Sequence, residues 1–149
     1  MVRTRIAVCC CLVAFAVLLA PGSAQATPGS DLMVKKINEY RKAHGLRPLR
    51  RSRSLQRSSF LYSRWQMRAD YFGHLGRIRA SRRFRWLGEV VAMHSGLRLK
   101  VRGTLRQWIR SSGHRRILLS HRYRYVGAGH RRGYFRGRRA TIWTAQFGR

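Results

Sequence analysis

Residues 139–147, RATIWTAQF, show the clearest β-strand pattern in the chain and indicate most strongly which fold class it adopts. Because successive side chains of a strand point to opposite faces, the stretch separates into two sets. These sets are Ile142, Thr144 and Gln146 on one face and Trp143, Ala145 and Phe147 on the other. Another alternating stretch covers 122–130, and Gly133 and Gly137 mark expected turns. We therefore expect clustered strands in the C-terminal part of the chain.

Helical patterns fill most of the chain ahead of these strands. Capping residues and apolar residues at helical spacing indicate four helices. Their expected extents are 32–44 between Asp31 and Gly45, 55–69 after Ser54, 98–110, and a short helix capped by Ser112. One short strand is expected at 89–92. The order of helix, helix, strand, helix, helix and clustered strands predicts an α+β fold with an antiparallel sheet covered by helices.

The helix expected at 55–69 has an unusual inward stripe, in which small polar residues accompany apolar ones. The stripe consists of Leu55, Ser59, Tyr62, Ser63, Gln66 and Met67. Because serine is small, another layer of the fold can approach this helix closely.

The N-terminal 26 residues have the pattern of an export signal. Two arginines precede an apolar segment over 6–20, and residues 24–26, Ala-Gln-Ala, supply the small residues of a cleavage site. We expect cleavage after Ala26 and a short lead-in over 27–33, with no integral membrane segment left in the mature protein. A retained anchor is the alternative. All three cysteines lie inside the signal, so the mature chain is expected to have neither a disulfide nor a thiolate nucleophile.

Four short motifs follow one another in the mature chain. They are 37–41 (INEYR) with 45–49 (GLRPL), the 55–67 stripe with 72–74 (FGH), 88–89 (GE), and Trp108 with 112–118 (SGHRRIL), 126–129 (VGAG) and 146–148 (QFG). In this order and at this spacing, they resemble the CAP superfamily (cysteine-rich secretory proteins, antigen 5, pathogenesis-related 1), also called the SCP domain, and within it the cysteine-free bacterial branch. The resemblance covers residues 34–148.

The resemblance implies a three-layer α-β-α sandwich with a central antiparallel sheet. It also implies a surface cleft in which His74 matches the first histidine, Glu89 the first acid and His114 the second histidine. The second acid of the family corresponds to Ser111, so the cleft has three of the family's four polar residues. Members of the family bind divalent metal, sterols, lipids or proteins, and the resemblance implies no particular catalytic activity.

His74, Glu89 and His114 have the side-chain types that zinc or another divalent metal accepts. An open position on such a metal would permit hydrolysis by metal-bound water. A structural alternative is a polar network in which Glu89 accepts hydrogen bonds from both imidazoles. A Ser–His–acid triad is disfavoured, because no nucleophile-elbow glycine pattern surrounds Ser111 or Ser112. The sequence leaves the network, the metal site and the hydrolytic site open.

Other histidines and aromatic residues belong to no motif. We expect His44, His94, His121 and His130 in loops or at the surface. The four tryptophans are spread over separate elements, which favours core packing. The best candidates for a face that stacks nucleic-acid bases are Tyr123, Tyr125, Tyr134 and Phe135, which are interleaved with arginines.

Net charge is the feature that the family resemblance does not explain. The chain has 33 Lys and Arg against four Asp and Glu, a formal charge of +29, and 29 of the basic residues are Arg. A codon bias explains arginine in place of lysine but not the scarcity of acids. Because self-repulsion at this charge opposes folding unless anions offset it, we expect an anionic partner. The residues expected to contact it are Arg82, Arg83, Arg131, Arg132, Arg138 and Arg139.

These patterns favour a secreted binding domain over an enzyme. Its expected partner is an anionic envelope polymer, an anionic lipid or extracellular nucleic acid, and its cleft is either structural or holds zinc or another divalent metal. The alternative function is a metal-assisted hydrolase acting on an envelope or lipid ester. With four acids in the whole chain, paired-carboxylate glycosidase chemistry and carboxylate-rich calcium sites are disfavoured.

Overall fold

Four helices and four strands make up the described part of the chain, which is residues 28–80 and 83–149 of a computed structural model. The helices are α1 (Pro28–Lys42), α2 (Arg53–Arg68), α3 (Val101–Arg110) and α4 (Ser112–Leu118). The strands are β1 (Arg50–Arg51), β2 (Leu87–Ser95), β3 (Tyr125–Phe135) and β4 (Arg138–Gly148). The expected export signal over 1–26 and the expected contact residue Arg82 lie outside the described residues. Within them, no helix has both the length and the apolar composition to span a membrane.

The strands form one sheet in the order β1-β3-β4-β2. β4 pairs antiparallel with β3 on one side and with β2 on the other, so that Ala145 lies between Ala128 and Val90. β1 pairs with β3 in parallel. The sheet is therefore mixed: its three long strands are antiparallel, as expected, and the short β1 adds a parallel strand at one edge. A strand of two residues is too short to show the alternation that reveals a strand in the sequence.

β4 separates two helical layers, as its two sets of side chains predict. Trp143 is fully buried in a core that it shares with Ile37 of α1 and Trp108 of α3. On the opposite face of β4, Ile142 is buried in a smaller cluster with Met67 of α2. The α+β class and the three-layer α-β-α arrangement are thereby confirmed.

The layer formed by α2 lies unusually close to the sheet. A Cβ atom at Gly127 would fall 2.0 Å from the backbone nitrogen of Gln56, and one at Gly129 would fall 2.2 Å from that of Phe60. Ser59 Oγ fills the narrow gap and donates to the carbonyl of Gly127 at 2.9 Å. Every residue of the predicted stripe is buried, so the close approach expected from its serines is confirmed.

The start of α2 differs from the expectation. Ser52, not Ser54, is the capping residue, and its Oγ accepts from the backbone N–H of Leu55 at 3.4 Å. The Ser52 N–H also donates to the carbonyl of Val126 at 2.9 Å. This bond ties Ser52 to the edge of the sheet, and the helix begins directly after it.

Other element boundaries shift for similar reasons. Within the described residues α1 extends from Pro28, and Asp31 lies in its first turn rather than at the cap. Ser111 rather than Ser112 stands at the N-cap of α4. Gly133 lies within β3, while Gly137 occupies the turn with a φ of +74°.

Candidate functional site

The three predicted cleft residues meet beside the first residues of β2. His74 Nδ1 lies 2.9 Å from Glu89 Oε1, and His74 Nε2 lies 3.3 Å from His114 Nε2. The Glu89 side chain is 3% exposed, whereas that of His74 is 45% exposed. His74 therefore stands between the other two residues. This differs from the expected network in which Glu89 accepts from both imidazoles.

A second set of contacts engages the Glu89 oxygen that does not face His74. Gln146 Nε2 donates to Glu89 Oε2 at 2.9 Å, and Ser58 Oγ donates to Gln146 Oε1 at 2.5 Å. Glu89 and Gln146 are direct cross-strand partners in the register of β2 and β4. Both carboxylate oxygens of the buried Glu89 thus have hydrogen-bond donors, as burial of a charge requires. Ser58 is not among the stripe residues of α2, so its contact with Gln146 was not predicted from the sequence.

The loop that carries His74 is fixed by side chains of α2. Tyr62 Oη donates to the carbonyl of Gly73 at 2.8 Å, and Gln66 Oε1 accepts from the N–H of Gly73 at 3.1 Å. Burial raises the pKa of Tyr62 to about 12, so its hydroxyl remains a donor at neutral pH. Tyr71 Oη donates to the carbonyl of His74 itself at 2.8 Å. Polar residues of the α2 stripe therefore have two roles. Ser59 bonds α2 to the sheet, and Tyr62 and Gln66 hold the loop that carries His74.

His114 enters the site from α4, two residues after the start of the helix. Burial, and to a smaller extent repulsion from His74, lowers the pKa of His114. A neutral imidazole at neutral pH can accept a hydrogen bond or bind a metal ion. Ser111, which the resemblance matches to the family's second acid, precedes α4 and is partly buried.

The fit of this site to a metal ion rests on the two histidines. Within residues 28–80 and 83–149, no three His, Cys, Asp or Glu side chains are arranged to hold a metal ion. Both oxygens of Glu89 are engaged, and one of them orients His74, as carboxylates commonly do behind a ligating histidine. The Nε2 atoms of His74 and His114 are left facing each other as the available ligands.

Arginine side chains cover much of the described surface. Of the 26 arginines that the structure describes, 25 are exposed and one, Arg41, is buried. Carboxylates pair with few of the basic residues in this part of the chain: Asp31 pairs with Arg51, and Glu39 Oε2 lies 2.5 Å from Lys36 Nζ. Apart from the buried Arg41, the remaining basic residues of the described chain are exposed to solvent.

Four of the predicted contact residues lie near the turn of the hairpin that β3 and β4 form. They are Arg131, Arg132, Arg138 and Arg139, and all four are exposed. Arg131 pairs in register with Ile142, so its side chain lies on the α2 side of the sheet. Arg132 lies two residues after His130 and therefore on the same face, where the His130 ring packs on Trp143. This is the opposite side of the sheet. The hairpin thus presents guanidinium groups on both faces.

Arg83 lies apart from this hairpin and has contacts of its own. Its Nη2 donates to Ser52 Oγ at 3.0 Å, and its guanidinium carbon lies 4.7 Å from the ring centre of Phe84. It is exposed, but it also fastens the loop before β2 to the cap of α2.

The four candidate residues for a base-stacking face do not lie on one exposed face. Tyr123 and Tyr125 pack against phenylalanine rings, and Phe135 is buried in the core. Tyr134 alone of the four is widely open, at 63% exposure.

A different aromatic cluster is exposed beside the cleft. Trp65, Tyr71 and Phe72 are each more than a third exposed, and the rings of Trp65 and Tyr71 lie 5.4 Å apart. Trp65 was expected in the core, although position 65 falls outside the predicted stripe of α2. Its position outside the stripe was the sequence feature that could have predicted its exposure.

Two histidines without a motif are also placed differently from the expectation. His94 and His130 lie in strands and are partly buried, while His44 and His121 are exposed in turns, as expected. The ring of His130 packs on Trp143 with 4.5 Å between centres. Burial, with a smaller repulsion from Arg132, lowers the pKa of His130 to about 4.

Comparison with known proteins places these features in a family. The profile of CAP, the cysteine-rich secretory protein family, matches residues 34–147. None of the curated protein sequences compared with the chain matches it significantly.

Several solved structures share the fold at low sequence identity. An outer surface protein from Borrelia burgdorferi is 19% identical with a TM-score of 0.64, and the match covers 80% of this chain and 90% of that one. An extracellular protein from Bacillus anthracis that contains an SCP domain is 21% identical with a TM-score of 0.66, and the match covers 85% of this chain and 45% of the longer protein. The venom allergen-like protein 4 of Schistosoma mansoni is 12% identical with a TM-score of 0.62, covering 83% of this chain and 89% of that one.

Proposed function

Because the chain belongs to the cysteine-rich secretory protein (CAP) family, we propose that it is a secreted, non-catalytic binding domain that holds anionic polymers through its arginine surface. The N-terminal sequence pattern supports export. The similar structures support it too, since one is an outer surface protein and another an extracellular protein. The polymers available there are anionic envelope polymers, anionic lipid head groups and extracellular nucleic acid.

The observation that carries this proposal is the exposure of 25 of the 26 described arginines in a chain with four acids. Guanidinium groups bind phosphate and carboxylate oxygens through two parallel hydrogen bonds, which suits a polymer that repeats such groups. Binding also relieves the mutual repulsion of the arginines, because the polymer supplies the missing negative charge.

A comparison of polymers at two salt concentrations tests the proposal. The probes are a random-sequence DNA duplex, phosphatidylglycerol vesicles and an acidic polysaccharide, each at about 50 and about 200 mM NaCl. We expect association that weakens steeply with salt for at least one probe, and a His74→Ala variant that binds as the unmodified protein does. Weak or salt-insensitive association with all three probes would contradict the proposal.

The facing imidazoles support a second candidate, a divalent-metal site in the cleft. Two nitrogens bound to one tetrahedral zinc at about 2.0–2.1 Å lie roughly 3.3–3.4 Å apart. The Nε2 atoms of His74 and His114 are 3.3 Å apart, a separation that also suits an N–H···N hydrogen bond. A bound metal would polarise an oxygen ligand, which is the chemistry that the alternative hydrolase of an envelope or lipid ester requires. His74 and His114 would hold the metal, and Glu89 would keep the His74 ring in place.

A further inference from the structure

A small basic cavity lies between the end of α1 and the segment that leads into β3. Its volume is about 310 Å³, room for roughly ten water molecules at about 30 Å³ each. The residues that line it are Arg41, Gly45, Leu46, Arg47, His121 and Arg124. Three of the six are arginines, and none is acidic.

One of the lining residues is Arg41, the one buried arginine of the described chain. Its Nε donates to the carbonyl of Arg47 at 3.1 Å, and its Nη1 donates to the carbonyls of Leu118 at 2.6 Å and Ser120 at 3.0 Å. Within the described residues, its Nη2 has no hydrogen-bond partner. Three carbonyls from two separate segments therefore hold the guanidinium plane in a fixed orientation.

No carboxylate compensates the charge of Arg41. All four acids of the chain are engaged elsewhere, with the side chains of Arg51, Lys36 and His74 and with the backbone N–H of Arg136. A buried charge without a counter-charge is costly, and burial accordingly lowers the pKa of Arg41. An anion in the cavity would supply the missing charge, and two exposed arginines, Arg47 and Arg124, also line the cavity.

We propose that this cavity is a binding site for one phosphate group, which Arg41, Arg47 and Arg124 hold together. The three guanidinium groups match the several oxygens of a tetrahedral phosphate, and the volume accommodates the group with some of its hydration water. This inference deepens the proposed function, because it assigns a defined subsite for phosphate on a surface that otherwise binds diffusely.

The test is calorimetric titration of the protein with inorganic phosphate at constant ionic strength. Arg47→Ala combined with Arg124→Ala removes two guanidinium groups but keeps the Arg47 carbonyl that accepts from Arg41. Arg131→Ala combined with Arg132→Ala is the matched control, because it removes the same charge from the exposed hairpin. Thermal unfolding of both variants confirms that they fold.

We expect saturable binding of one phosphate per chain, weakened at least about tenfold in the cavity variant and unchanged in the hairpin control. Absence of saturable binding, or equal weakening in both variants, would overturn the inference. Phosphatidylglycerol vesicles added to the phosphate-loaded protein identify the source of the group. Displacement would show that a lipid head group reaches the cavity, and retention would restrict the site to soluble phosphate.

The outcome separates this inference from the proposed function. If the protein binds polymers in a salt-dependent way but takes up no phosphate in the cavity, the function stands and the subsite fails. If phosphate binds and no polymer does, the subsite stands and the function fails.

Discussion

His74 Nδ1 lies 2.9 Å from Oε1 of Glu89, a residue that follows it by 15 positions and belongs to β2. The buried carboxylate accepts from Nδ1–H and thereby fixes which ring nitrogen points outward. His74 Nε2 is consequently aimed at His114, and the pair forms the exposed end of a network that Gln146 and Ser58 continue into the core.

This arrangement predicts how zinc binding responds to substitution. His74→Ala and His114→Ala should each abolish binding of one zinc per chain, because each removes one of two facing ligands. Glu89→Gln should weaken binding roughly 10- to 100-fold, the usual effect of losing the carboxylate behind a ligating histidine. Isothermal titration with zinc measures all three.

His121→Ala is the matched control for the zinc titration, since it removes an exposed histidine outside the cleft. If the unmodified protein binds no zinc, or if both cleft variants bind it as well as the control does, the cleft is a structural network and the hydrolase alternative is removed.

Two glycine substitutions should change stability in opposite directions. Gly127 lies where α2 approaches the sheet closely, whereas Gly113 lies in open space in α4. Gly127→Ala should destabilise the protein by roughly 3 kcal/mol, the upper end for an overpacked core, because its Cβ would lie 2.0 Å from a backbone nitrogen. Gly113→Ala should stabilise it by about 0.5–1 kcal/mol, because the position is helical and open. Urea unfolding of both variants gives the comparison, and equal stability of the two would show that α2 does not rest directly on β3.

Much of the sandwich was predictable from local patterns. The alternation in 139–147 determined which face of β4 meets which helical layer, since Trp143 and Ile142 reach different cores. The serines of α2 indicated a close neighbour. Both predictions succeeded because each depends on a property of a single element: the alternation of side chains along a strand, and the small size of serines on one face of a helix.

Features that depend on contacts between distant segments were not predictable. Arg41 resembles any basic residue near the end of a helix, and its burial depends on carbonyls 77 and 79 residues away. The choice of Ser52 over Ser54 as a cap depends on a bond to β3. The family resemblance predicted that His74, Glu89 and His114 lie together. It did not predict that His74 stands between the other two, which depends on the fold.

Stability should fall in mild acid because of His130. Its pKa is about 4 in the folded protein and about 6.5 in an unfolded chain. Between these values the unfolded state binds the extra proton, so the free energy of unfolding is constant above about pH 6.5 and decreases as the pH falls toward 4. The expected loss is roughly 1–3 kcal/mol.

Urea unfolding of the protein and of His130→Gln between pH 7 and 4 checks this prediction. The difference between the two free energies of unfolding should change across that window, which isolates His130 from His94 and His114, whose pKa values burial also lowers. A constant difference would mean that His130 does not contribute.

The most direct test of the central claim is the salt dependence of binding to a random-sequence DNA duplex, used as a defined polyanion. The hairpin variant replaces Arg131, Arg132, Arg138 and Arg139 by Ala, and a control replaces Arg64, Arg68, Arg106 and Arg110, which are equally exposed on α2 and α3. Each lost phosphate contact reduces the slope of log K against log salt by about 0.9. We predict a steep slope for the unmodified protein, reduced by up to about 3.6 in the hairpin variant and by less in the control. A shallow slope for the unmodified protein would contradict a polyanion-binding arginine surface, and the same slope in all three proteins would contradict the contact role of the hairpin arginines.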